Sequence, residues 1–243
     1  VRQVAYSTYS ILQIFHNGEA YLVEYDNPGC IFVRDGKLMD IPYTVREIEG
    51  KKIIVLPLDI TKQEDLEAYK KMLAKEHPWV RVLVNAAGYG IMGHVEDVVC
   101  EELTGIVAMT KITLPYMKEQ SNIINIASSA AYLPQPSFAV YAATKSMVRS
   151  FSKALNKELE DRGITVTAVC PGPVNTEFFD VVEKYSHTKA FKRLFRVEAK
   201  NVVKRALFDA YYLKTESTYS ITMKAFKIVT KLLPNDWIVS MIK

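Results

Sequence analysis

Ser128, Tyr141 and Lys145 are the residues of this chain whose types and spacing could do chemistry. Tyr141 and Lys145 are four apart, so on a helix they share one face. An ammonium beside a phenol favours the phenolate and lowers its pKa from about 10. Bringing a phenol to neutrality takes about 4 kcal/mol of differential stabilisation. A phenol so tuned can exchange a proton with a substrate oxygen while a hydride moves at the adjoining carbon. Ser128, thirteen residues before Tyr141, would donate a hydrogen bond to the same oxygen.

The Tyr-x-x-x-Lys pair alone carries little weight, since chance gives roughly one in a chain of this composition. A second pair, Tyr185 and Lys189, is present. Context separates them. Ser128 follows the apolar run Ile123-Ile124-Asn125-Ile126, whereas thirteen residues before Tyr185 stands Gly172, which has no side chain. The second pair reads as solvated helix surface.

The elements that must position the triplet are legible around it. Arg81 to Val84 reads as a buried strand followed by Asn85-Ala86-Ala87-Gly88, and Ile164 to Val169 reads as another, ended by Pro171-Gly172-Pro173-Val174-Asn175-Thr176. Between them Tyr141 to Arg162 reads as a helix with the apolar face Val148, Phe151, Leu155 and Leu159, and Gly163 as its stop. With Asp59 after an earlier strand, these ordered signals from about Lys51 to Thr176 resemble the short-chain dehydrogenase/reductase family. The resemblance implies an α/β fold: a doubly wound parallel sheet in a Rossmann-like, three-layer αβα arrangement. It implies an NAD(P)-dependent oxidoreductase interconverting a carbonyl and a secondary alcohol, with Tyr141 as general acid and base. Lys145 would tune Tyr141 and bind the nicotinamide ribose.

For the cofactor, the resemblance implies that Asp59 meets the adenine amino group and that Asn85, Ala86, Ala87 and Gly88 lie against the adenine ribose. Pro171, Gly172, Val174 and Thr176 would contact the nicotinamide end. Each has a plainer alternative: Asp59 as a helix-flanking carboxylate, Asn85 to Gly88 as a strand-end turn, Ser128 as an ordinary loop serine, and Pro171 to Thr176 as punctuation between strand and helix.

From Lys51 onward strands and helices alternate, as a parallel sheet covered on both faces requires. Lys52 to Leu58 reads as a strand. Thr61-Lys62-Gln63-Glu64 reads as a capping box opening a helix to about Glu76. A helix from about Glu96 to Lys118 and a strand from Asn122 to Ala127 follow. Asp59, Asn85, Ser128 and Pro171 all stand at carboxyl ends of strands, where ligands bind in such sheets.

Residues 1–50 are atypical. The family needs a glycine-rich turn between first strand and first helix, and the four glycines here, at 18, 29, 36 and 50, have no suitable spacing. Tyr21 to Tyr25 and Cys30 to Arg34 read as a hairpin around Asp26-Asn27-Pro28-Gly29. A competing registration makes Cys30 to Arg34 the family's second strand. Arg34 there would meet a 2′-phosphate and slightly favours NADP; Asp35 hints at NAD. Residues 86–121 contain no asparagine, although the family places one in this helix, and the segment is short by about eight residues, or two helical turns. These two absences, with every other motif in place, predict missing residues and a break at Leu103-Thr104, with the sheet's central position left unmatched by residues 1–50. A non-catalytic binding or scaffold relative that has lost the phosphate-binding turn is the alternative reading.

Composition sets outer bounds. The chain has 243 residues, 49% hydrophobic and 24% charged, with a net charge of +4. This is one domain of soluble globular type, and no basic-aromatic cluster marks a nucleic-acid partner. Cys30, Cys100 and Cys170 are too scattered for zinc or disulfides, and His16, His77, His94 and His187 form no metal-spaced cluster, so a cytoplasmic protein without a metal is expected. No apolar run is long enough to span a membrane, and no signal peptide is visible at the start.

Residues 177–243 read as a substrate-covering and C-terminal segment. Phe178 to Arg196 would cover the substrate, and its Phe178, Phe179 and Tyr185 suit an apolar carbonyl or alcohol. Met223 to Lys243 has the make-up of an interfacial helix, but packing on its own domain or on a partner subunit is expected instead, and membrane contact is not. The resemblance also implies a homo-oligomer, dimer or tetramer, pairing the helices on either side of Ser128. The apolar stripe of the helix after Tyr141 suits that role.

Overall fold

The structure, a computed structural model, describes residues 58–86, 105–175 and 196–240 with their side chains and 9–15, 20–25, 30–34, 37–41, 47–48, 51–56 and 102–104 as backbone only. The strands are β1 (Tyr9–Phe15), β2 (Ala20–Tyr25), β3 (Cys30–Arg34), β4 (Lys37–Ile41), β5 (Glu47–Ile48), β6 (Lys51–Leu56), β7 (Val80–Asn85), β8 (Asn122–Ile126), β9 (Thr165–Val169), β10 (Val174–Asn175), β11 (Val197–Glu198) and β12 (Glu216–Ser217). The helices are α1 (Gln63–Glu76), α2 (Glu102–Thr113), α3 (Ala139–Glu158), α4 (Ala199–Tyr211), α5 (Ile221–Leu232) and α6 (Asn235–Ser240).

One sheet runs in the order β12-β9-β8-β7-β1-β2-β6-β5. β7, β8, β9 and β12 are mutually parallel, as are β2 and β6. Side chains alternate across it with period two. Leu83, Ile123 and Val166 pack with Leu66, Tyr69 and Leu73 of α1, Met109 of α2 and Leu155 of α3. Val82, Val84, Ile124 and Val169 pack with Val202, Ala206 and Ala210 of α4. The two core layers on opposite faces give the expected three-layer Rossmann-like architecture.

Several local expectations change. The capping box at Thr61 does not form: α1 has Lys62 at its N-cap with no side-chain cap bond. The Thr61 hydroxyl instead donates to Asp59 Oδ1 at 2.7 Å, and the Asp59 N–H donates to Asp65 Oδ2 at 2.8 Å. α2 stops at Thr113, ahead of Lys118, because Pro115 lacks an N–H and the chain tightens into a 3-10 turn at Leu114–Tyr116. α2 also runs unbroken through Leu103-Thr104, so the break expected there is absent.

The N-terminal expectations are corrected too. β1 fills the central position, antiparallel to β7 on one side and to β2 on the other. Tyr21 to Tyr25 therefore pairs with β1 and β6, not with Cys30 to Arg34. β3 pairs with β4 in a two-stranded sheet of its own, which removes both the hairpin and the registration that placed Arg34 at the end of a second strand of the main sheet. β1 takes one edge of β2 in a six-pair ladder and β6 takes the other, which leaves no edge for Cys30 to Arg34.

Gly163 ends the α3 segment with φ 64°, the left-handed conformation that a Cβ disfavours. A Cβ there would also lie 2.6 Å from Glu119 Cγ. Gly163→Ala is expected to cost about 1–2 kcal/mol, read as a lower urea midpoint with an unchanged slope. An unchanged midpoint would count against the strain.

Candidate active site

Three strand ends build the site. Asn85 closes β7, Ser128 follows β8 and Pro171-Gly172 follows β9. The parallel ladder continues past the strands: Ala127 N–H donates to Val169 O at 2.8 Å and Ser129 N–H to Pro171 O at 2.7 Å. These two bonds lash the loop bearing Ser128 to the Pro171 turn. Ser128 has extended backbone and caps a 3-10 turn at Ser129–Tyr132, its Oγ accepting from Ala130 N–H at 3.1 Å. Accepting that bond leaves the hydroxyl proton able to donate elsewhere.

α3 carries the other two groups. Its first turn presents Tyr141, whose ring stacks on Phe138 at 4.3 Å between centroids and 22° between planes. Lys145 Nζ lies 5.6 Å from the centroid of the Tyr141 ring. Lys145 is only 5% exposed, although its chemistry normally keeps it in water. The i, i+4 expectation is therefore met, and Tyr141 and Lys145 come together, as do Ser128 and Pro171.

Beneath the Asn85 turn lies a buried polar chain. Asn85 Nδ2 donates to Asn125 Oδ1 at 2.8 Å and to Thr110 Oγ1 at 3.2 Å, and Asn125 Nδ2 donates to Ser152 Oγ at 2.9 Å. It ties β7 to β8, α2 and α3. Asn85 is thus a buried structural link, and Ala86 stands just beyond it. Ala87, Gly88 and Thr176, together with Phe178, Phe179, Tyr185 and Lys189, lie outside the described residues. Val174 sits in β10, which pairs parallel with β11. Asp59 flanks α1. Burial pushes its carboxyl up, but the Thr61 hydroxyl and N–H and the Lys62 ammonium outweigh it and hold the group below the usual carboxylate range.

A charged cluster that sequence reading missed lies behind the site. Glu216 Oε2 accepts from Arg149 Nε at 2.9 Å and pairs with Lys153 Nζ at 3.0 Å. Its Oε1 accepts from Tyr132 Oη at 3.0 Å and pairs with Lys227 of α5. Arg149 also lies over the Tyr132 ring, 5.0 Å from its centroid. Burial, with the Glu216 charge nearby, pushes the Cys170 thiol up to about 11, so this cysteine is a packed thiol and not a nucleophile. Arg149 and Lys153 repeat the face of Lys145 at intervals of four, a signal the sequence carried. Their partner, on a two-residue edge strand, had no local signature.

Comparison with known proteins accounts for this arrangement. The family model for short chain dehydrogenases matches residues 29–186. An uncharacterized oxidoreductase of Staphylococcus aureus (strain MRSA252) is 27% identical over 218 residues, covering 85% of this chain and 91% of that protein. A short chain dehydrogenase of Burkholderia cenocepacia, crystallised with NADP, superposes with a TM-score of 0.63 at 19% identity, covering 82% of this chain and 84% of that one. A short chain dehydrogenase/reductase of Burkholderia phymatum in complex with NAD gives 0.60 at 20% identity, over 74% and 75% of the two chains. Strand-end loops, a helix bearing Tyr141 and Lys145, and a family match over well more than half of the sequence agree: the chain belongs to the short-chain dehydrogenase family.

Proposed function

We propose that this chain is a single-domain NAD(P)-dependent oxidoreductase interconverting a carbonyl and a secondary alcohol, with a small apolar substrate. The observation that carries this reading is the buried Lys145 ammonium 5.6 Å from the Tyr141 ring. An ammonium brought beside a phenol oxygen would favour the phenolate. Tyr141 would then give a proton to the carbonyl oxygen in reduction and take it back in oxidation. Ser128 would donate a hydrogen bond to that oxygen.

The nicotinamide end of a dinucleotide fits the residues present. Lys145 would hold the ribose, and Pro171, Gly172 and Val174 would line the ring's site. When bound, the cofactor supplies or accepts the hydride. The relatives crystallised with NADP and with NAD support a nicotinamide dinucleotide for this chain. The slight preference for NADP rested on Arg34, and with β3 outside the main sheet that footing is gone. Fluorescence titration with NADPH and NADH tests the assignment. Lys145→Ala is expected to weaken binding and slow turnover, and to move the acid limb of the oxidation profile to higher pH. Unchanged affinity and an unchanged profile would refute the role.

One observation favours the second reading, a non-catalytic binding or scaffold relative. β1 leads into antiparallel β2 rather than into a helix, so no helix N-terminus follows it to receive a pyrophosphate. Absence of binding to either dinucleotide at millimolar concentration would select that reading.

Homo-oligomer formation is part of the proposal, but not by the stripe first suggested. Val148, Leu155 and Leu159 are buried in the chain's own core, with Phe151 packed against them. Pairing of α3 would use its exposed Ala139, Ala143, Met147, Ser150 and Ala154. A dimer or tetramer is expected by light scattering at micromolar concentration, and a monomer would contradict it.

A further inference from the structure

α5 is bound to the protein by one face and leaves another bare. Met223 sits against the Pro171 turn, so close that a Cβ on Gly172 would lie 2.7 Å from its sulfur. Phe226 lies 6.4 Å from the Tyr132 ring between centroids, and Lys227 pairs with Glu216. Ser220 caps the helix, its Oγ accepting from Met223 N–H at 3.1 Å. This is a well-begun, docked helix, yet none of its residues is buried.

The outward side is apolar. Ile221 is 84% exposed, Ile228 57% and Leu232 76%. With Ala225 they fall within an arc of about 60° at 3.6 residues per turn. Leu233 and Trp237 extend the exposed apolar surface into α6. Lys224 and Lys231 line one flank of the stripe, while Lys227 is turned toward the protein and paired with Glu216. From Ser217 to Lys243 the sole carboxylate is Asp236.

We propose that this face lies on the surface of a bilayer carrying anionic headgroups. An apolar stripe flanked by lysines, with a tryptophan at its end, matches the two parts of such a surface: acyl boundary for the isoleucines and leucine, headgroup charge for the ammonium groups. Charge decides against the other natural occupant, a second copy of the same face. Two copies would bring Lys224 and Lys231 of each together with no carboxylate between Ser217 and Asn235 to answer them. The contact is interfacial: no helix among the described residues is long and apolar enough to cross a membrane.

The test is co-sedimentation of the whole protein with vesicles of phosphatidylcholine alone and of phosphatidylcholine containing phosphatidylglycerol. The protein should pellet with the anionic vesicles and remain largely free of the neutral ones. Binding should fall as salt rises from about 0.1 to 1 M, where the screening length drops from about 10 to 3 Å. The paired change Ile228→Asp and Leu232→Asp, at positions already in water, should abolish pelleting without altering the melt. Lys224→Gln and Lys231→Gln, which leave the stripe intact, should each weaken anionic binding about fivefold. No pelleting with anionic vesicles, or equal pelleting of the Asp variant, would overturn the proposal. Loss of self-association in the Asp variant with vesicle binding unchanged would assign the face to a second copy instead.

Discussion

Tyr141→Phe is expected to lower carbonyl reduction by about 10²–10⁴-fold while leaving fold and cofactor affinity in place. The change removes one oxygen and nothing else that the geometry uses. Phenylalanine retains the ring that stacks on Phe138 at 4.3 Å and the face that Lys145 approaches at 5.6 Å. What disappears is the proton donor. The Ser128 hydroxyl is no substitute as a proton source, because an alkyl alcohol is far less acidic than a phenol, although it can still donate a hydrogen bond to the substrate oxygen. Steady-state reduction of a panel of apolar ketones and aldehydes reads the rate, and a thermal melt reads the fold. Turnover within a factor of two of the parent would remove Tyr141 from the chemistry. The contrast with Lys145→Ala is informative: only the lysine change should also weaken dinucleotide binding.

Much of this site was readable before the fold because its elements are stated locally. β7, β8 and β9 are buried on both faces, so they appear as short β-branched runs such as Ile123-Ile124 and Val166 to Val169. α3 announces itself by Val148, Phe151, Leu155 and Leu159 at helical spacing and ends at Gly163. Once those strands are parallel, the rule that ligands gather beyond strand ends brings Ser128, Pro171 and Asn85 to one edge. What could not be read was choice of partner. Tyr21 to Tyr25 has strand character whichever neighbour it takes, and the six-pair ladder with β1 is a tertiary outcome. Thr61 and Glu64 have capping-box spacing, yet Asp59 two residues upstream captures the threonine hydroxyl first. Glu216 looks like any surface carboxylate until β12 is laid beside β9 and the cations of α3 and α5 close on it.

That carboxylate gives the largest expected stability effect. Its side chain is 5% exposed and faces Arg149, Lys153, Lys227 and Tyr132. Burial pushes the carboxyl up, but hydrogen bonds from Lys227 and Lys153 and the Arg149 charge outweigh it and bring the group down to about 2, from an ordinary 4.5. A carboxyl depressed in the folded state stabilises the fold fully above its unfolded value, and this contribution fades as pH falls from about 4.5 through about 2. The shift corresponds to about 3 kcal/mol. Glu216→Gln leaves three cations around a neutral amide, and breaking a buried pair from one side costs about 3–5 kcal/mol. At 2–4 °C per kcal/mol for a chain of this size, the melting temperature near neutral pH should fall by about 6–20 °C. Because the variant has no carboxyl to titrate, the gap from the parent should narrow between pH 5 and pH 2 by about the same 3 kcal/mol. Urea unfolding of both proteins across that range measures it. A gap that stays constant with pH would place the ionisation of Glu216 outside the stability of the fold. A gap that widens toward low pH would mean the three cations gain more from losing the carboxylate than they lose, reversing the sign argued from this geometry.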